Sequence, residues 1–108
     1  MSSLESYTCP CCGYLGLSMP SYAHALRPPF SKEISPPYSQ YLGEPSYQVC
    51  PCCGYEFGND DEPGTGAPIS FERYLRDWIN QGCIWHEPAK SPLNWSLAKQ
   101  LAAAEIII

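Results

Sequence analysis

Cysteines carry most of the chemistry that this sequence offers, and four of the seven occur at the spacing of metal ligands. The stretch Cys-Pro-Cys-Cys-Gly occurs twice, at residues 9–13 and 50–54, and a tyrosine follows it both times. A two-residue gap between thiolates lets both sulfurs face one ion, and the glycine permits the positive φ that turns backbone N–H groups towards them. Each copy therefore predicts half of a tetrahedral site, in a turn that we call a knuckle.

Two such knuckles supply four thiolates, a set that suits Zn²⁺ or a single iron ion. The predicted ligands are the first and last cysteines of each copy, because only the last one is followed directly by glycine: Cys9, Cys12, Cys50 and Cys53. Four thiolates leave no coordination position for water or substrate. We therefore expect one structural zinc ion, with iron as the alternative.

The other three cysteines leave the ligand register open at this stage. Cys11 or Cys52 could replace Cys12 or Cys53, or could bridge a second ion. A protein that forms metal clusters would devote far more of its length to cysteine, which favours the single site. Cys83 lies away from both motifs and is predicted to be a small buried hydrophobe.

Length, charge and targeting signals exclude several classes of protein. The 108 residues predict a single domain. The net charge of −5 and the lack of a Lys/Arg cluster disfavour nucleic acids and anionic membranes as partners. No apolar run approaches the roughly 20 residues of a membrane span, and residues 1–6 do not resemble a secretory signal. With an odd number of cysteines, these features predict a cytoplasmic protein with reduced thiols.

Catalytic sites find little support in the sequence. A Cys-Pro-x-Cys stretch also occurs in thiol oxidoreductases, but there the first cysteine lies at the start of a helix, whereas here glycine and an aromatic residue follow each motif and no helical pattern does. His24 and His86 are predicted to be surface or packing residues, and the acidic residues 59–62 a solvated turn. No pair of a base and a nucleophile is evident, so we do not expect an enzyme.

Helical periodicity is confined to the C-terminal part of the chain. A first helix is predicted from Phe71 to Gln81, with Ser70 as its N-cap and Gly82 as its stop. Its apolar face consists of Phe71, Tyr74, Leu75, Trp78 and Ile79.

A second helix is predicted to begin near Ser91, Asn94 or Ser96. Its narrower apolar stripe consists of Leu93, Leu97, Leu101, Ala104 and Ile108. The two helices are expected to pack against the knuckles, with Trp78 in the core and Trp85 and Trp95 as candidates for a partly exposed surface.

Residues 17–46 contain six prolines and show no regular period, which predicts a long irregular excursion. Such a loop either packs its aromatic residues onto the body or carries a binding surface. Short strands are expected beside the motifs, at residues 46–50 and 55–57. The predicted fold is α+β: one zinc-ribbon-like domain of residues 1–108, with knuckles 7–16 and 47–58, the excursion 17–46 and a helical segment 70–106.

The two cysteine motifs, with the helical residues 71–79 and Trp85, resemble a group of small bacterial cysteine-rich proteins named for the Cys-Pro-Cys-Cys motif. The resemblance implies a zinc-ribbon-like protein without established enzymatic activity that acts as an adaptor or immunity partner of another protein, here unidentified. The knuckles also resemble those of rubredoxin, which implies iron-based electron transfer as the alternative function. The isoleucines at 106–108 offer a surface for a homodimer.

Overall fold

The computed structural model describes residues 7–24 and 35–106. Their radius of gyration is 13.2 Å, close to the value of about 13 Å expected for a compact chain of this length. Helical structure in these residues comprises α1 (Ser39–Leu42), α2 (Phe71–Asn80), α3 (Leu97–Ala103) and a single 3-10 turn (Pro88–Lys90). No helix among them has the length and apolar character that crossing a bilayer would need.

Helix α2 confirms the prediction for residues 71–81 to within one residue. It begins where the side chain of Ser70 caps it, because the backbone N–H of Arg73 donates to Ser70 Oγ at 3.1 Å. It ends before Gly82, whose φ of +104° stops the helix. Its buried residues are Phe71, Leu75 and Trp78.

Helix α3 begins at the last of the three predicted starting points. Ser96 is the N-cap, and its Oγ accepts a hydrogen bond from the backbone N–H of Lys99 at 3.3 Å. Leu101 and Ala104 are buried as predicted, but Leu93 is 95% exposed. The prediction for Leu93 was wrong because Asn94 has a φ of +58°, which separates Leu93 from the helix. Ile107 and Ile108 lie outside the described residues.

The predicted β-strands do not form a sheet in the described part of the chain. Each knuckle is closed by one antiparallel bridge, Tyr7 with Leu17 and Val49 with Glu56. The segments predicted as strands, 46–50 and 55–57, cannot extend further because Tyr47 has a φ of +62° and the chain turns at 57–60. The helical part of the predicted α+β fold is thus present, and within the described residues its β part is reduced to isolated bridges.

The proline-rich excursion contributes two tyrosines to the core. A third bridge, Tyr22 with Pro45, closes the excursion, and α1 lies within it. Tyr22 and Tyr38 are buried, and the ring of Tyr38 stacks on that of Phe71 at the start of α2, with the centroids 4.0 Å apart. The excursion was expected either to pack its aromatic residues onto the body or to carry a binding surface. Tyr22 and Tyr38 pack onto the body. Residues 25–34, including Phe30, lie outside the description.

A second aromatic group lies beside α3. Trp85 contacts Tyr14 of the first knuckle and Trp95, both edge-to-face, and Trp95 in turn contacts Trp78 of α2. Trp85 is buried and Trp95 half-buried, so Trp85 does not supply the exposed surface that was considered for it.

Candidate metal centre

The two knuckles fold in the same way. In the first, the Cys9 N–H donates to Tyr14 O at 2.7 Å and the Gly13 N–H donates to Cys9 O at 2.8 Å. In the second, the corresponding bonds run from Cys50 to Tyr55 at 3.0 Å and from Gly54 to Cys50 at 2.9 Å.

Both motif glycines have a φ of +86°, the conformation for which the sequence predicted glycine. The repeat in the sequence is therefore a repeat of backbone geometry.

The knuckles bring the four predicted ligands together. Cys12 Sγ lies 3.7 Å from Cys50 Sγ, and Cys9 Sγ lies 4.0 Å from Cys53 Sγ. All four sulfurs lie within 4.8 Å of one another. A tetrahedral ion with Zn–S bonds of about 2.3 Å separates its ligands by about 3.8 Å, whereas a disulfide bond needs about 2.05 Å. The four cysteines, which are free thiols, therefore fit a metal site and not a pair of disulfides.

Burial makes these thiols costly to ionise on their own. Burial raises the pKa of Cys9 to about 11, and it also raises the pKa values of Cys12 and Cys53. Burial opposes the ionisation of Cys50 as well, but hydrogen bonds from the Cys12 and Cys53 thiols lower the pKa of Cys50. Burial therefore disfavours a group of four thiolates unless a cation compensates their charge.

Cys11 and Cys52 are buried beside the ligands but do not belong to the group of four. The thiol of Cys11 donates to Phe71 O at 3.5 Å, and the sulfur of Cys52 accepts from the side-chain amide of Gln100 at 3.5 Å. The group of four sulfurs therefore does not include the alternative ligands, Cys11 and Cys52. Cys83 is half-buried, with a φ of +54°, so its predicted burial is only partial.

The segment after α2 supports the second knuckle through its backbone. The N–H of His86 donates to Cys52 O at 3.1 Å, and the N–H of Glu87 donates to Pro51 O at 2.8 Å. The side chains of His86 and His24 are exposed, and neither belongs to the metal-ligand group.

The acidic residues 59–62 are predicted to form a solvated turn, but one of them is buried. Asp61 is fully buried, and its carboxylate accepts hydrogen bonds from Gly58 N at 2.7 Å and from Tyr38 N at 3.0 Å. Burial, followed by the charge of Asp61, raises the pKa of Tyr22 far above its usual value. Asp61 therefore joins the second knuckle to the excursion. The sequence held no signal that distinguished it from the exposed Glu62 next to it.

Sequence reasoning also missed Gln100, whose side chain contacts both knuckles. Gln100 lies three residues after Leu97, and residues at i and i+3 share a helix face. This spacing could have indicated that Gln100 lies beside the apolar stripe and faces the knuckles.

Comparison with protein-family models, with curated proteins and with solved structures found no match for this chain.

Proposed function

We propose that Cys9, Cys12, Cys50 and Cys53 bind one zinc ion, and that this ion is structural in a protein that acts without catalysis. The observation that carries the proposal is the group of four buried sulfurs at the separations of a tetrahedral site. Zinc prefers four-thiolate sites of this geometry and lowers the cost of ionising the thiols.

The position of the group supports a structural role. The ligands come in pairs from two turns that are about forty residues apart in sequence, so the ion joins distant parts of the chain. The described helices are short, the longest having ten residues, and they give limited stability by themselves. A structural zinc site contributes on the order of 10 kcal/mol of apparent folding free energy. Metal binding and folding are therefore coupled in this proposal.

Zinc binding should release about three to four protons per ion between pH 6 and pH 8. The reason is that a cysteine thiol in an unfolded chain has a pKa of about 8.5 and is mostly protonated at neutral pH, whereas all four must be thiolates in the complex. Lowering the pH protonates the ligands, so the apparent affinity should fall by roughly a thousandfold to ten-thousandfold per pH unit. Competition titrations with a chromophoric chelator between about pH 6 and pH 8 measure this slope.

The variant Cys52→Ser serves as the control for this titration, because Cys52 lies outside the ligand group. It should show the same slope as the wild type. A slope of one proton or fewer in the wild type would contradict ligation by four thiolates.

Iron in the same four thiolates would instead make the protein resemble rubredoxin and would indicate electron transfer. Protein purified without added metal should be colourless if it holds zinc and red if it holds iron. A red protein would replace the structural proposal by the redox alternative.

We further propose that the protein is cytoplasmic, where thiols stay reduced, and that it binds another protein as an adaptor or immunity-type module. The resemblance to the Cys-Pro-Cys-Cys proteins supports this role, as do Tyr41 and Tyr47, which are large aromatic side chains left exposed around the end of the excursion. Deleting the excursion would be a poor test, because Tyr22 and Tyr38 belong to the core.

A better test replaces both Tyr41 and Tyr47 by serine. The double variant should fold and hold metal but lose the proteins that copurify with the wild type. The control is Leu93→Ser, a still more exposed apolar position outside the excursion. If the double variant and the control retain the same copurifying proteins, this surface is not the binding site.

A further inference from the structure

We propose that Gln100 is a positioning residue of the metal centre, whose side-chain amide holds the two knuckles in register and couples α3 to the bound ion. This inference rests on the proposed zinc site and names the part of the chain that controls it.

The side chain of Gln100 makes three hydrogen bonds to three separate segments. Its Nε2 donates to Cys12 O at 2.9 Å and to Cys52 Sγ at 3.5 Å. Its Oε1 accepts from Trp95 Nε1 at 2.9 Å. One amide thus connects the first knuckle, the second knuckle and the segment that leads into α3.

The chemistry of these partners fixes the orientation of the amide. The indole nitrogen of Trp95 is only a donor, so it must face the oxygen of Gln100. The carbonyl of Cys12 is only an acceptor, so it must face the nitrogen. With the sulfur of Cys52 as the second acceptor, both amide hydrogens and the amide oxygen are paired, and a flipped amide would lose these bonds.

Close packing of α3 on the first knuckle brings the amide within reach. A Cβ placed on Gly13 would lie 2.9 Å from Ala104 Cβ and 3.0 Å from Gln100 O, closer than packed atoms approach. The absence of a side chain at Gly13 therefore lets the last turns of α3 rest directly on the knuckle backbone. From there, the side chain of Gln100 extends to the second knuckle.

The contacts lie beside the metal ligands themselves. Cys12 is a predicted ligand, and Cys52 is the residue immediately before another, Cys53. Loss of the amide would free the backbone carbonyl of the ligand Cys12 and the sulfur of Cys52, next to the ligand Cys53, and would let the separation of the two knuckles change. Ligands that are fixed by outer contacts hold metal more tightly, since their geometry does not have to be reorganised.

The test measures how fast zinc leaves the intact protein to an excess of a chromophoric chelator. Gln100→Leu removes all three hydrogen bonds at similar volume, and Gln100→Glu keeps the acceptor for Trp95 while it removes both donors. Each variant should release zinc roughly 10- to 100-fold faster than the wild type, the range typical of losing a residue that orients metal ligands.

The matched control is Leu101→Ala, which weakens the buried face of α3 without touching the amide. Thermal unfolding is recorded for every variant. The inference holds if the Gln100 variants release zinc faster than Leu101→Ala although they unfold at a higher temperature. It fails if Leu101→Ala releases zinc at least as fast, or if the Gln100 variants match the wild type.

Wild-type protein without a bound metal would overturn this inference together with the proposed function. Metal-bound wild type with unchanged Gln100 variants would overturn the inference alone. Gln100→Glu keeps the test informative if the leucine variant does not fold, because it retains both the side-chain size and the contact with Trp95.

Discussion

Replacing Cys50 by serine is expected to abolish both metal binding and the folded state. Cys50 is one of the four proposed ligands, fully buried with its Sγ 3.7 Å from Cys12 Sγ, and a hydroxyl at this position is a poor zinc ligand. The lost contribution, on the order of 10 kcal/mol, is comparable to the whole stability of a typical domain. Circular dichroism and metal analysis of the purified variant measure the two effects together.

Cys52→Ser is the matched control for this prediction, because Cys52 is two residues away, equally buried and outside the ligand group. It should keep one zinc ion per chain and lose about 1 to 2 kcal/mol, since it gives up a weak sulfur acceptor in the core. The ligand assignment is wrong if Cys52→Ser and Cys50→Ser lose metal and stability to the same extent.

Replacing Asp61 by alanine is expected to destabilise the metal-bound protein by about 3 to 5 kcal/mol. The substitution leaves the N–H groups of Gly58 and Tyr38 without their acceptor inside the core, and it disconnects the second knuckle from the excursion. Because Asp61 is not one of the four ligands, the variant should still bind one zinc ion under native conditions. Urea unfolding of the zinc-loaded protein measures the change in the free energy of unfolding.

Two further variants make this result specific. Asp77→Ala removes an exposed carboxylate on α2 that lies 3.9 Å from Arg73, and it should cost less than about 1 kcal/mol. Asp61→Asn keeps one acceptor oxygen and should fall between the two. Equal losses for Asp61→Ala and Asp77→Ala would show that the buried carboxylate does not stabilise the fold.

The features that could be predicted from the sequence are those determined by short-range chemistry. The glycines of the knuckles, the cap at Ser70 and the apolar face of α2 are each set by residues a few positions apart, and the structure has them where the sequence placed them. The group of four sulfurs could also be predicted, because one pair of cysteines fills only half of a tetrahedral site and the repeated motif supplies the other half.

The features that were missed depend on contacts between distant residues. Asp61 accepts a hydrogen bond from Tyr38, 23 positions away in sequence. Gln100 donates one to Cys12, 88 positions away. The exposed or buried state of an aspartate or glutamine is decided by such partners, which local patterns do not identify. The prediction of short strands was wrong for a related reason. The positive φ of Tyr47 is imposed by the folded turn, and a tyrosine in the sequence does not indicate such a conformation.

X-ray absorption at the metal edge of the purified protein tests the zinc centre most directly, because it identifies the element and its ligands together. We expect one zinc ion per chain, surrounded by four sulfur atoms at about 2.3 Å. A shell that contains nitrogen or oxygen, or a protein that carries no metal and keeps its thiols free, would contradict the account.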